Sequence, residues 1–298
     1  MRFLDADAVA ALGAAAAVRA ITDALRGGLD PAADPPRVPV GLTQGQFLLM
    51  PSEAPAAAGV KVVTVAPDNP AHGLPRIQAV YLLFDAHTLA LRAVLDGTAL
   101  TTLRTPAVSV AAVLQRLPDQ PLRVAVVGAG PQATGHVATL AAVRRLECAT
   151  YLVRDPSRTP LDAVRLGSPQ ADEAFRSADI VVCATSARSP VFDSALLRDD
   201  AVVVAVGSHE PDARELDAPL LGRATVVVED VATALREAGD VVLAIAEGAL
   251  TPADLVPMRD VVTGAVAVPA DRPLVFKSVG MSWQDLVVAA AVLGRSGD

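Results

Sequence analysis

Lysine is almost missing from this chain of 298 residues: it occurs only at positions 61 and 277, and arginine supplies nearly all the positive charge. A chain that has let arginine replace lysine on its solvated surface keeps lysine where the broad guanidinium fork does not serve. Lys61 and Lys277 are therefore candidates for chemistry. Cysteine is equally scarce, and Cys148 and Cys183 alone make neither a disulfide framework nor a metal cluster. Both lie in apolar segments and read as buried thiols. Net positive charge is lacking too. A balance of −8 leaves no general basic surface for nucleic-acid backbones or anionic lipid, so any anion site must be a local cluster of arginine or lysine. No apolar run approaches the roughly 18 residues of a membrane span. The alanine-rich stretch 8–18 reads as an amphipathic helix rather than a signal peptide, because Asp5 and Asp7 stand where positive charge belongs and Arg19 closes the run. The expectation is a soluble, cytoplasmic protein that binds neither nucleic acid nor membrane and holds no metal.

What is present is core-forming material. Apolar residues make up 52% and charged residues 19%, and the length admits two domains. Residues 1–29 read as helix, with Asp5 as its cap and Gly27-Gly28 as its stop. A proline-rich stretch, 31–39, leads into short apolar runs at 46–50, 59–65, 77–85 and 90–95. Breakers such as Asp68-Asn69-Pro70 separate them, the pattern of a largely antiparallel sheet. Residues 98–117 read as helix, with Pro106 placed near its first turn. At Leu122 the pattern changes: a strand over 122–127, a glycine turn, a helical run to Leu146, then strands at 150–153, 179–184, 201–206 and 225–228. Runs apolar on both faces, alternating with helices, predict a parallel sheet covered on both sides. Between residues 158 and 176 there is too little chain for an ordinary helix, strand and helix, so the first half of this Rossmann-type unit is shortened. The predicted fold is α/β: an N-terminal α+β domain over 1–118 and a Rossmann-type domain over 119–280.

Gly128-Ala129-Gly130-Pro131-Gln132-Ala133 follows the apolar run 124–127 and opens a helix, the context a dinucleotide-binding turn requires. Gly128 permits the tight turn, Gly130 lets backbone approach a pyrophosphate, and Ala133 allows close helix–strand packing. Pro131 suits the first helical turn, where the free N–H groups around Gln132 attract phosphate. After the second strand comes Arg154-Asp155-Pro156-Ser157-Arg158. Arg154 at the tip, with Ser157 and Arg158, suits the 2′-phosphate of NADP. Asp155, one place late, can still reach a ribose hydroxyl, which keeps NAD open.

Five segments taken together resemble the ornithine cyclodeaminase/mu-crystallin family. They are Gly59-Val60-Lys61-Val62-Val63, the helix stretch from Thr101 to Ser109, the glycine turn, Gly207-Ser208-His209-Glu210-Pro211 with its following Arg214-Glu215-Leu216-Asp217, and Lys277-Ser278-Val279-Gly280 with Gln284-Asp285-Leu286. The resemblance implies a homodimer whose first domain carries the substrate groups and builds the interface, with 281–298 returning to that domain. It implies a small amino or imino acid substrate whose α-carbon bears nitrogen and carboxylate. Arg37, Lys61 and Arg104 match the family's substrate groups. Two guanidinium groups can clamp a carboxylate, and a lysine can hydrogen-bond it, bind the amine or relay a proton. Thr105 and Ser109, read near the start of the long helix, fit phosphate contacts, and Ser278, Val279 and Gly280 complete the implied cofactor set. Arg76, where a small residue is usual, and Gln78 complete the substrate set. Lys277 reads alternatively as a strand-end residue pairing with Asp285.

One departure bears on the reaction. Where cyclodeaminases carry a catalytic aspartate, after Gly207-Ser208, this chain has His209, and Glu210 could substitute only if the loop shifts. Simple C=N reduction asks less of that position than cyclising deamination. The expected activity is NAD(P)H-dependent reduction of a cyclic imino acid. Ornithine cyclodeamination and an alanine-type dehydrogenation stand as alternatives, and the cationic residues argue against a purely binding role.

Overall fold

The chain divides into two units in the computed structural model, whose described residues are 1–295: Met1–Val108 with the segment from Met281 onward, and Ser109–Gly280. Positions 296–298 of the expected C-terminal return lie outside the described residues.

The first unit is built on six strands: β1 (Arg2–Leu4), β2 (Val38–Leu42), β3 (Gly45–Ala54), β4 (Ala57–Val65), β5 (Ile77–Asp85) and β6 (Leu91–Asp96). Their order is β1-β6-β5-β4-β3-β2, antiparallel except that β1 runs parallel to β6. The first residues are thus an edge strand and not the start of a helix. The predicted helix is also two pieces, α1 (Ala6–Ala10) and α2 (Ala14–Arg26), because Gly13 turns the chain at φ 79°. Asp5 caps α1 through the Ala8 N–H at 2.9 Å, as its sequence position suggested. The proline-rich stretch hides β2, where Pro39 is tolerated at a sheet edge. Lys61 faces Met50 and Tyr81 in register, so these three side chains share one face with Val63 and Leu83. That face is buried, and the C-terminal helix, Ser282–Arg295, packs on β3, β4 and α2. The opposite face, with Val60, Val62, Val80 and Leu82, is only half-buried. α3 (Gly97–Val113) holds Pro106 in its interior, not its first turn, so the carbonyl of Thr102 loses its helical donor there. Thr105 and Ser109 accordingly sit mid-helix.

The second unit carries eight parallel strands in the order β13-β12-β14-β11-β10-β7-β8-β9. They are β7 (Leu122–Val127), β8 (Leu146–Val153), β9 (Ala163–Arg165), β10 (Ile180–Cys183), β11 (Val202–Ala205), β12 (Thr225–Val228), β13 (Leu255–Pro257) and β14 (Leu274–Lys277). The helices among them are α4 (Pro131–Val143), α5 (Pro169–Ser177), α6 (Ala218–Arg223), α7 (Val231–Glu237), α8 (Gly239–Ala246) and α9 (Met258–Thr263). The first half is shortened in a particular way. Its third strand, β9, keeps three residues, and a single 3-10 turn, Pro156–Arg158, stands where a crossover helix would be. β8 begins at Leu146 because α4 ends at Val143, earlier than the sequence suggested. Its first residues have no partner in β9, which pairs only with Tyr151, Leu152 and Val153. Cys148 is therefore exposed, and only Cys183 is a buried thiol. Strand order reverses beside β7, between β8 and β10, and such a switch point opens a crevice at the carboxyl ends of the strands.

Candidate active site

The glycine turn follows β7 directly. Gly128 adopts φ 120°, and a Cβ there would lie 2.6 Å from the Ala184 carbonyl oxygen, so only glycine fits. Gly130 has nothing within 4 Å of where a Cβ would stand, which leaves room for a phosphate beside the backbone. Pro131 opens α4, and Ala133 in the first turn of that helix is fully buried. A cleft of about 1120 Å³ lies beyond this turn, lined among others by Gly128, Ala129, Arg154, Arg158, Thr185 and Arg188. Its size, its glycine floor and its arginines fit a dinucleotide.

Asp155 is less available than its position implied. Its carboxylate accepts the Ser157 hydroxyl at 2.8 Å and the Ser157 N–H at 3.2 Å, and stands 3.7 Å from Arg165. Those hydrogen bonds, with Arg165 and Arg158 nearby, hold it below the usual carboxylate range. Ser157 therefore gives its hydroxyl to Asp155, while Arg154 and Arg158 are exposed along the cleft.

Other members of the expected cofactor set are bonded to neighbouring side chains or buried. Glu229, buried, accepts the Ser278 hydroxyl at 2.7 Å and the N–H groups of Val279 and Gly280 at 2.9 and 3.0 Å. Ser109 lies 2.9 Å from Nε2 of His136, whose Nδ1 meets the Gln132 carbonyl at 2.7 Å. Burial pushes His136 down to about 4, so the neutral ring gives its proton to Gln132 and accepts that of Ser109. Thr105 is buried within the part of α3 that belongs to the first unit.

Lys277 ends a strand, as read, but its partner is not Asp285. It stands 3.0 Å from Asp240 and donates to the Ser208 carbonyl at 2.6 Å. The other oxygen of Asp240 accepts the N–H groups of Glu215 and Leu216 at 2.7 and 2.8 Å. Glu215 in turn accepts from Gly207 and from the backbone and hydroxyl of Thr185. This buried network fixes the loop that carries His209, which is exposed. Glu210 is held at the surface: its carboxylate pairs with Arg188 at 2.6 Å, beside Asp212 on the same guanidinium.

The first unit gathers the expected substrate groups. Lys61, on β4, is 2% exposed and donates to Asp285 at 2.7 Å and to the Thr101 hydroxyl at 3.3 Å. Arg104, from α3, donates to Gln284 at 2.7 Å, and its Nε stands 3.4 Å from the second oxygen of Asp285. Two buried cations thus share one carboxylate, which leaves positive charge to meet an anion. Burial lowers Lys61 to about 8; Asp285 works against that fall, while Arg104 and Arg37 reinforce it. Arg37, half-buried, is therefore within electrostatic reach of Lys61. The lysine's immediate neighbourhood explains Gly59 as well, since a Cβ there would lie 2.2 Å from the Tyr81 hydroxyl.

Gln78 does not join this cluster. It opposes Thr64 in register, which puts its side chain on the sheet face away from Lys61 and Tyr81. Arg76 lies just before β5 and is exposed. Sequence reasoning missed Asp285 and Gln284 as partners of Lys61 and Arg104, although both stand in the quoted C-terminal segment. It also missed Asp34, whose carboxylate accepts the Trp283 N–H at 2.9 Å. Among the described residues no helix is long and apolar enough to cross a membrane, and no group of three or more His, Cys, Asp or Glu side chains is placed to hold a metal.

Comparison with known proteins bears on this arrangement. The model of the ornithine cyclodeaminase/mu-crystallin family matches residues 7–297. Delta(1)-pyrroline-2-carboxylate reductase 2 of Burkholderia ambifaria is 34% identical over 268 residues, covering 85% of this chain and 81% of that protein. The structure of Thermococcus litoralis Delta(1)-pyrroline-2-carboxylate reductase, in complex with NADH and L-proline, superposes with a TM-score of 0.86 at 27% identity, over 99% of this chain and 97% of that one. An archaeal alanine dehydrogenase dimer with bound NAD gives a TM-score of 0.86 at 26% identity, over 99% and 96%. With its glycine turn on a shortened parallel sheet, its buried Lys61–Asp285–Arg104 cluster and a match over nearly its whole length, the chain belongs to the ornithine cyclodeaminase/mu-crystallin family.

Proposed function

We propose that this protein is an NAD(P)H-dependent reductase of small cyclic imino acids of the pyrroline-2-carboxylate type. The observation that carries the reading is the buried cluster in which Lys61 and Arg104 share the single carboxylate of Asp285. Its surplus positive charge suits an α-carboxylate, which Arg104 and Arg37 can hold by charge-assisted hydrogen bonds. A nicotinamide cofactor, whose phosphates the turn at Gly128 and Gly130 would hold, would supply the hydride. Lys61, lowered to about 8, is mostly protonated near neutral pH yet close enough to its midpoint to release a proton, the range a general acid needs. The proton sits on Nζ, held by Asp285 and Thr101 until an imine nitrogen takes it. The similarity to pyrroline-2-carboxylate reductases, one of them solved with NADH and L-proline, supports this substrate class. The likeness to an alanine dehydrogenase favours a second reading, in which the same clamp serves an open-chain imino acid. Cyclodeamination is disfavoured because His209 offers no anion and Glu210 is engaged with Arg188.

For the cofactor we favour NADP over NAD: Arg154 and Arg158 stand along the cleft while the charge of Asp155 is taken up by Ser157 and Arg165. For assembly we favour a homodimer built on the first unit. Its sheet has a half-buried apolar face, and the edge strand β2 exposes Val38, Val40 and Leu42 by 47%, 40% and 47%, surface that a second copy would cover. A cytoplasmic location accords with two unpaired thiols. The deciding experiment follows NADPH and NADH consumption against a panel of cyclic imines, with ornithine-dependent ammonia release measured alongside. Ammonia release from ornithine with no oxidation of either nucleotide on the imines would overturn the reading.

A further inference from the structure

The chain between α2 and β2 crosses the head of the C-terminal helix, and Asp34 is where the two meet. Its carboxylate accepts the Trp283 N–H at 2.9 Å, in the first turn of that helix. First-turn N–H groups have no partner within a helix, and a carboxylate there is favoured by the helix dipole as well. The next two residues after Trp283 are Gln284 and Asp285, which hold Arg104 and Lys61. Three residues after Asp34 comes Arg37. One side chain therefore ties the segment bearing Arg37 to the segment bearing the partners of the other two cations.

We propose that Asp34 is a positioning residue that fastens the Arg37 segment to the head of the C-terminal helix, so that the grip of the cluster on a substrate carboxylate depends on this tether. The proposal rests on the reading of Arg37 and Arg104 as a carboxylate clamp. The groups that face Asp34 are Ser52 from β3, Tyr81 from β5, and Asp285 with the backbone of Ser282 and Trp283 from the helix. Burial pushes the carboxyl up to about 6 against the lowering pull of Ser52 and the two backbone N–H groups, and Asp285 adds to the rise. Above that pH the tether is charge-assisted; below it the acid is protonated and the bond weakens.

Trp283 is the chain's single tryptophan, so its fluorescence reports the tether without any substrate. The emission of wild-type protein is expected to titrate near pH 6, and that of Asp34→Asn to stay flat between pH 5 and 7.5. With a cyclic imino acid at pH 7.5, Asp34→Ala should raise KM roughly tenfold, the loss of one charged hydrogen bond, with a smaller change in kcat. Asp34→Asn keeps the accepting oxygen and should recover part of that loss. Wild-type KM should approach the Asn value as the pH falls below about 6. Thermal melts show whether the Ala variant folds; where it does not, the Asn variant and the emission titration carry the test. A flat wild-type emission, or one that titrates unchanged in Asp34→Asn, overturns the tether whatever the substrate proves to be. An emission that titrates as expected while KM is the same in wild type and both variants overturns its link to substrate binding.

Discussion

Replacing Asp285 with asparagine keeps the shape of the side chain and removes the carboxylate that Lys61 and Arg104 share. Burial drags Lys61 from 10.5 to about 8, and Asp285, by charge and by its 2.7 Å hydrogen bond, is what stops it falling further. With the carboxylate gone, Arg104 and Arg37 continue to push the same way as burial. Leaving a buried charge without its partner costs about 3–5 kcal/mol, and one pKa unit corresponds to about 1.4 kcal/mol. Releasing the proton costs less than keeping it, so Lys61 should fall by roughly two units or more. The sign for stability follows from proton counts. The native state of the wild type gives up this proton at about 8 and the unfolded chain at 10.5, so stability carries a penalty below about 8 that is relieved as pH rises toward 10.5. In the variant the start of that window moves down. Because the chain has only two lysines, protein labelled selectively in lysine gives two side-chain signals by NMR, and Lys61→Met identifies which is which. The wild-type signal should titrate near 8 and the variant's near roughly 6, with turnover at pH 7.5 down by about tenfold or more. A midpoint that stays where it was, or rises, refutes the reasoning.

Three further outcomes are expected. Lys61→Ala should lose most turnover while NAD(P)H still binds, whereas Lys277→Met should lower stability by about 3–5 kcal/mol in urea unfolding, since it strands Asp240 among buried groups; equal losses of activity at unchanged stability would contradict the division of roles between the two lysines. Arg154→Ala should weaken NADPH binding several-fold and leave NADH binding nearly unchanged, as titration calorimetry would show, and an unaltered preference removes the 2′-phosphate assignment. Gly128→Ala should impair nucleotide binding and cost about 1–3 kcal/mol, because its backbone sits at φ 120° and the added methyl meets Ala184; a variant that binds and melts like wild type would remove the role given to that turn.

The parts of this protein that its sequence determined are those fixed by local rules. Apolar runs of strand length, broken by glycine and proline, marked most of the strands, and Gly128-Ala129-Gly130 between a strand and a helix marked the nucleotide turn, because backbone conformation and phosphate access depend on neighbours in the chain. Lysine scarcity singled out Lys61 before any contact was known. Two edge strands were not legible: β1 and β13 have three residues each and take their stability from the strand beside them. The partners of the charges were not legible either. Lys61 meets Asp285 across 224 residues of chain, and Lys277 meets Asp240 where the sequence alone suggested Asp285. Gln78 is placed in the substrate set with the family resemblance, yet one step of strand register puts it on the face away from Lys61. Ser278, Val279 and Gly280 read as cofactor groups, and only the tertiary structure shows that Glu229 accepts their hydroxyl and N–H groups. Local propensity depends on sequence neighbours, but which buried cation meets which carboxylate depends on long-range packing, and only the tertiary structure decided that.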